Sequence, residues 1–212
     1  MTNHPGPLTD TVLDRVACAS LVDAMGRVHE HRAHLLSLVS PAPRRLFGPV
    51  ATIAYLPYRD DMPHAEFGDL YSQAMVGRRA GTVLVLSSGG YPDVSHGGGT
   101  KLSHLEHSGA AGVLADGRLR DFDQLADYGF ATWCRGEATL AGGETAMPFA
   151  ANVAVEVGGV SVFPGDYLYA DASGAVVIPA GSLERVIDEA LKVEAEDAGF
   201  AQEIAAQERA AR

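Results

Sequence analysis

Three short apolar runs recur in the middle of the chain: Thr82-Val83-Leu84-Val85-Leu86, Ala111-Gly112-Val113-Leu114-Ala115 and Ala131-Thr132-Trp133-Cys134. Runs that stay apolar at consecutive positions, without alternation, suit strands covered on both faces. Residues 100–108 and 122–128, which lie between them, read as helices, and Gly109 ends the first. Strand, helix, strand, helix, strand at this spacing predicts βαβ units with parallel pairing and right-handed crossovers.

The flanks extend this pattern. A helix start at Leu8-Thr9-Asp10 leads into one or two helices carried by Val12, Leu13, Val16, Ala17, Ala19, Leu21 and Val22, up to Gly26. Residues 29–39 fit no clear period, and Ser40-Pro41-Ala42-Pro43 breaks the chain. The run FGPVATIAYL at 47–56 predicts a strand and residues 65–76 a helix. Four short strands follow at 153–157, 160–163, 167–170 and 175–178, separated by Gly, Pro and Asp turns. From Ser182 onward the chain is helical and acidic, with Val186, Ile187, Leu191 and Val193 as its inner face. No repeat or linker divides it, so a single α/β domain over 1–212 is expected, with a C-terminal helical segment from about residue 182.

Composition narrows the partners. A net charge of -11 and no Lys/Arg-rich block exclude a general nucleic-acid surface, because phosphate binding needs clustered cations. Cys18 and Cys134 lie far apart among apolar neighbours, so they read as buried thiols rather than a disulfide or zinc framework. The first residues lack the basic and apolar regions of a signal peptide, and no apolar run approaches the ~18 residues of a membrane span. A cytoplasmic protein with no membrane partner is expected.

The chemistry gathers in two stretches. Gly97-Gly98-Gly99-Thr100-Lys101 leads from a Gly/Ser/Pro/Asp loop into a helix, whose unpaired N–H groups and partial positive charge can receive a carboxylate or phosphate. The same pattern also fits a flexible loop with a Thr cap. Gly-Lys-Ser/Thr is absent and no GxGxxG follows a strand, which leaves nucleotide readings weak. Arg120-Asp121 lies on a β-to-α connection, where ligands gather in open α/β folds. It reads either as a surface ion pair or helix cap, or as a site. In the second case Asp121 holds a hard divalent cation through one carboxylate and Arg120 stabilises an enolate-like oxygen.

Other candidates have less support. His96 and Asp93 lie in the glycine loop and can reach a site there, while His64 is a loop histidine. His104 and His107 share a helix face without an obvious third ligand, and Glu194, Glu196, Glu203 and Glu208 read as a solvated helix face. No Gly-x-Ser-x-Gly elbow occurs.

From Ser20-Leu21-Val22-Asp23-Ala24 to Ile178-Pro179, the chain resembles the RraA-like family, which contains the regulator of ribonuclease activity A and the class II 4-hydroxy-4-methyl-2-oxoglutarate aldolases. The most specific stretches are GAAGVLADGRLRD at 109–121 and FPGDYLYADASGAVVIP at 163–179, supported by GPVAT at 48–52 and GTVLV at 81–85. The resemblance implies a swivelling-domain-like layered β core flanked by helices, in homotrimers or homohexamers with sites between subunits. In its aldolase branch the residue matching Asp121 binds magnesium or manganese. The residue matching Arg120 contacts the substrate's keto oxygen, and backbone matching Gly98 to Lys101 receives its carboxylate. The regulator branch usually lacks the Asp, which places this chain nearer the enzymes.

One departure is an acid that the family carries at the position of Gly99, with Lys101 close behind; Asp93 or His96 are the candidates to compensate. The expectation is therefore a metal-dependent carbon–carbon lyase, cleaving or decarboxylating a small 2-oxo acid. Its catalytic residues would be Arg120 and His96, with Gly98, Gly99, Thr100, Lys101 and Arg120 binding substrate and Asp121 binding Mg2+ or Mn2+. The alternatives are a diverged enzyme with a different small substrate in a specialised biosynthetic pathway, and a non-catalytic protein-binding regulator of ribonuclease activity.

Overall fold

The structure, a computed structural model, describes residues 10–78 and 80–211, so Leu8 and Thr9 of the expected helix start lie outside the described residues. The chain runs α1 (Asp10–Leu13), α2 (Cys18–Val28), β1 (His34–Leu35), β2 (Leu46–Pro57), α3 (Phe67–Met75), β3 (Val83–Leu86), α4 (Gly99–Ser108) and β4 (Gly112–Ala115). It continues through α5 (Phe122–Asp127), β5 (Ala131–Trp133), β6 (Ala146–Ala151), β7 (Val155–Val157), β8 (Val160–Val162), β9 (Tyr167–Asp171) and β10 (Gly174–Ile178) to a 3-10 turn and α6 (Leu183–Ala210). These elements form two compact units: the residues up to His31 together with those from Gly181, and Arg32–Ala180.

The smaller unit is helical. Leu21, Ala24 and Met25 of α2 are buried, as are Leu183, Val186, Ile187, Ala190 and Val193 of α6. The buried residues of α6 recur at three- and four-residue intervals, which makes one apolar stripe. Leu191 lies at its margin, only half-buried, and Ala190 takes the inner place. The acids of α6 are not all simply solvated. Glu196 pairs with Arg27 at 2.7 Å, and Glu194 accepts a hydrogen bond from the Ala17 N–H at 3.2 Å.

The larger unit is built on β2, whose length lets it serve three neighbours. Its start pairs antiparallel with β9, its middle parallel with β3, and its end antiparallel with β6. The sheet order is β1-β10-β9-β2-β3-β4-β5, with β6 on the end of β2 and β7-β8 as a separate hairpin. The strands β2, β3, β4 and β5 are parallel and in chain order, as the three apolar runs predict. The crossovers between these adjacent parallel strands carry α3, α4 and α5 to one face.

Side-chain alternation divides the core accordingly. Ile53, Leu84, Leu86, Val113 and Ala115 pack with Phe67, Leu70, Leu102, Leu105 and Leu125 of the helices. Val50, Val83, Val85, Leu114 and Trp133 face the other way and meet Val155, Val157, Val160 and Val162 of the hairpin. That is why the β3 and β4 runs are apolar at every position. The result is the layered β core flanked by helices that the resemblance implies. Strand β6 has no counterpart among the sequence-predicted strands: Pro148 interrupts its run, and it pairs along one side only, with β2.

Candidate active site

Beyond the carboxyl ends of β3 and β4, the loops are joined by backbone rather than left open. The His96 N–H donates to the Arg118 carbonyl at 2.9 Å, the Arg120 N–H to Gly97 at 3.0 Å, and the Gly142 N–H to Ser95 at 3.1 Å. Ser95 forms isolated bridges with both Arg118 and Ala141. The glycine loop, the 116–121 loop and the 141–143 loop therefore make a small ladder continuing the sheet. On it sits a cavity of about 150 Å3 bounded by His96, Gly97, Gly98, Thr100, Lys101, Arg120 and Asp121, with Tyr55, Ala146 and Pro148 on a further wall. At ~30 Å3 per water this is room for roughly five waters, the size of a small metabolite rather than a nucleotide.

Gly98 is the N-cap of α4, and its extended backbone is open to any residue. What favours glycine there is the neighbour: a Cβ would stand 2.6 Å from Asp121 Oδ2, which would have to withdraw, and 3.3 Å from Arg120 Cβ. The Gly99 N–H donates to the same Oδ2 at 3.0 Å. The N–H groups of Thr100 and Lys101 belong to the first helical turn, which has no intrahelical acceptors for them, and both residues line the cavity. With Lys101 and Arg120 against the single carboxylate of Asp121, the lining carries net positive charge, which suits an anion. Arg120 forms no salt bridge among the described residues.

Asp121 is the N-cap position of α5, its carbonyl accepting the Leu125 N–H at 2.9 Å, yet its side chain caps no N–H of that helix. The Phe122 N–H is taken by Glu137 Oε1 at 3.0 Å, and Asp121 sits in the left-handed region at φ 62°. That conformation is unfavourable for most L-residues and tolerated by Asp. The carboxylate turns back toward the start of α4, where it receives the Gly99 N–H, and caps no N–H of its own helix.

His96 reaches the cavity wall in a form that does not suit a general base. It is 2% exposed, with Nδ1 at 2.9 Å from the Val94 carbonyl and Nε2 at 2.9 Å from the Ser88 carbonyl. A neutral ring donates from one nitrogen to its carbonyl, and the lone pair of the other is turned onto the second carbonyl oxygen, so neither nitrogen presents a lone pair to a substrate. Burial lowers the pKa of the ring below its usual value, and the two carbonyls and Asp116 offset this in part. A Cβ at Gly117 would overlap the His96 ring, and the Tyr55 hydroxyl donates to the His96 carbonyl. The residue braces the glycine loop.

Asp93 does not compensate for Gly99 either. It pairs with Arg118 at 3.3 Å and lines a second cavity with Asp116, Arg135 and Glu156. His104 stacks on Tyr71, His64 bonds the Arg59 carbonyl, and among the described residues no three His, Cys, Asp or Glu gather as a metal cluster. Cys18 and Cys134 are buried, as expected, and burial raises the Cys134 thiol to about 11.

Sequence reasoning missed Gln124 and Tyr128. A Cβ at Gly99 would overlap the Gln124 amide oxygen. Gln124 Nε2 donates to the Tyr128 hydroxyl at 2.7 Å, which donates to the Gly99 carbonyl at 3.0 Å. Gln124 follows Asp121 by three positions, but Asp121 lies at φ 62°, outside the helix, so the spacing signals no shared face. Ala146 and Pro148 carried no signal, since they arrive on β6.

The RraA-like (Aldolase/RraA) family profile matches residues 18–177. A protein of Halalkalibacterium halodurans with the provisional name 4-hydroxy-4-methyl-2-oxoglutarate aldolase is 34% identical over 125 residues, covering 59% of this chain and 59% of that protein. The chain thus spans about three fifths of that relative's length. A Burkholderia mallei protein with the same provisional name is 32% identical over 146 residues, 66% of this chain and 79% of that one. Among solved structures, Streptomyces coelicolor RraAS2, described as an unusual member of the RNase ES inhibitor RraA family, superposes with a TM-score of 0.82. It is 25% identical and covers 94% of this chain and 99% of its own.

Proposed function

Because the chain belongs to the RraA-like family, we propose that it is a carbon–carbon lyase acting on a small 2-oxo acid, with the site at the start of α4. The observation that carries this reading is the meeting of Gly98, Thr100, Lys101, Arg120 and Asp121 in one cavity of about 150 Å3. The substrate carboxylate lies on the N–H groups of Thr100 and Lys101, in the positive field of the helix start. The keto oxygen faces the Arg120 guanidinium. As the carbon–carbon bond breaks, its electron pair delocalises onto that oxygen, and Arg120 stabilises the charge more strongly in the transition state than in the ground state.

The donors available here are hard oxygens, with the Asp121 carboxylate foremost, and they fit a hard divalent cation such as Mg2+ or Mn2+. Bound beside Asp121, such an ion would supply Lewis acidity to the keto oxygen.

The two cleavage reactions differ in what they ask of the site. Retro-aldol cleavage needs a base for the substrate hydroxyl, and both His96 nitrogens face carbonyls. Decarboxylation of a 3-carboxylated 2-oxo acid needs none: CO2 leaves and the enolate is protonated afterwards. Decarboxylation asks less of the side chains in the lining, and that supports it of the two. The test is pyruvate release from oxaloacetate and from 4-hydroxy-4-methyl-2-oxoglutarate, with magnesium or chelator, in wild type, Asp121→Ala and Arg120→Ala. Faster release from oxaloacetate, lost in both variants, is expected; release from neither substrate rejects the reading.

A second reading rests on the likeness to the RNase ES inhibitor family member from Streptomyces coelicolor. On this reading the chain is a regulator of ribonuclease activity. Inhibition of an RNase E-type enzyme that survives Asp121→Ala would favour it over the lyase.

A further inference from the structure

Three consecutive glycines, Gly97 to Gly99, lead into α4, and a glycine backbone holds no conformation of its own. Neighbours must set it. The Gly97 carbonyl accepts from the Arg120 N–H at 3.0 Å and from Ser95 Oγ at 2.6 Å, both within the loop ladder. The peptide before it is held from outside the ladder: the hydroxyl of Tyr55, on β2, donates to the His96 carbonyl. The register between β2 and β6 shifts between Ala54 and Tyr55, which sets Tyr55 opposite Pro148, and both line the cavity. Such irregularities re-aim side chains beside active sites. The Tyr55 ring meets the His96 ring edge-on at 4.7 Å, and the Tyr55 N–H is anchored on Ser87 Oγ at 3.0 Å. Burial raises the phenol above its ordinary pKa, which keeps the hydroxyl a donor at neutral pH.

We propose that Tyr55 is a positioning residue of the site: from the far wall its hydroxyl fixes the His96–Gly97 peptide, and with it the turn that directs the α4 N–H groups and Arg120 into one cavity. The inference rests on placing the substrate at the start of α4. The linkage is short. Gly97, next to the braced peptide, accepts the Arg120 N–H, and Gly98 is the N-cap of α4. Phenylalanine at this position keeps the ring and the wall and removes only the donor to the His96 carbonyl.

The test compares Tyr55→Phe with a matched control, Tyr71→Phe. Tyr71 is likewise buried, and its hydroxyl reaches the His104 carbonyl at 3.1 Å and Ser108 Oγ at 2.7 Å, toward the other end of α4 and outside the cavity lining. Pyruvate release from oxaloacetate with magnesium, and calorimetric binding of oxalate, are measured for both variants and wild type well below each Tm. Both variants lose a buried hydrogen bond and are expected to melt a few degrees lower. Only one should lose function. Misplacement approaching 1 Å can cost up to ~100-fold, so Tyr55→Phe is expected to lose roughly tenfold or more in kcat/KM, while Tyr71→Phe stays within about twofold. Oxalate affinity should fall several-fold in Tyr55→Phe alone. Equal losses in the two variants, or wild-type values in Tyr55→Phe, overturn the proposal. Oxalate binding by a wild type that releases no pyruvate removes the lyase reading alone, and the two variants' oxalate affinities then decide for or against Tyr55. Neither binding nor release by folded wild type overturns both.

Discussion

Replacing Gly98 with alanine tests whether the carboxylate position at the start of α4 matters, because the backbone there, at φ -154° and ψ 179°, accepts alanine without strain. The new methyl would stand 2.6 Å from Asp121 Oδ2, where ordinary contacts begin near 3.4 Å, so the carboxylate must withdraw by about 0.8 Å. That breaks the 3.0 Å Gly99 N–H bond. Asp121 is exposed, so the loss costs about 1 kcal/mol rather than the larger value of a buried charge-assisted bond. Alanine is also a poorer N-cap than glycine by a few tenths of a kcal/mol or more. A total of about 1–2 kcal/mol corresponds to roughly 2–8 °C in Tm for a chain of this size. A displacement approaching 1 Å in a reacting constellation can cost up to ~100-fold in rate. Gly98→Ala is therefore expected to fold, to melt a few degrees lower, and to release pyruvate some 10–100-fold more slowly in a coupled assay. Turnover within about twofold of an active wild type, with the Tm lowered, would show that the carboxylate's place is structural only and would refute the reasoning.

Other perturbations read single elements of the same scaffold. Burial depresses the folded-state pKa of His96 below the ordinary 6.5, so the unfolded chain binds the extra proton first. The stability gained from a neutral His96 is full above about pH 7 and falls as the pH drops through 6.5 toward the folded value. His96→Gln should flatten that part of a urea-midpoint profile, and an unchanged slope would remove His96 as its source. Asp116, its side chain 6% exposed, is held by Arg135 Nε at 3.1 Å and Nη2 at 2.8 Å. Arg135→Ala strands that carboxylate and is expected to cost about 3 kcal/mol in denaturant unfolding, while adding Asp116→Asn restores part of it; additive losses would contradict the pairing. Both cysteines are buried and the Cys134 thiol is raised to about 11. Neither should react with a thiol reagent at pH 8 until the protein unfolds, and labelling of the native state would contradict this burial.

The middle of the fold was legible because each βαβ strand is buried on both faces, and that burial writes itself as an unbroken apolar run. Val83, Leu84, Val85 and Leu86 alternate between the helix side and the hairpin side of the sheet, yet both sides are dry. Strand β6 was not legible, since its pairing partner is the end of β2, nearly a hundred residues earlier, and nothing local in AMPFAA announces it. The same distance hid Ala146 and Pro148 as cavity wall.

The site was half legible for a related reason. Backbone requirements leave marks, and Gly98 and Gly99 are such marks, but a glycine states only that something is close and not what. The sequence alone left Asp121 free to cap α5. Its left-handed backbone at φ 62° and the Gly99 N–H at 3.0 Å, neither of which the sequence states, turn the carboxylate to α4 instead. His96 shows the converse. Its position in the glycine loop made it a natural base, and only the two carbonyls on its ring nitrogens assign it to bracing. A histidine's role is set by the acceptors around it, and here those are backbone groups, which sequence does not label.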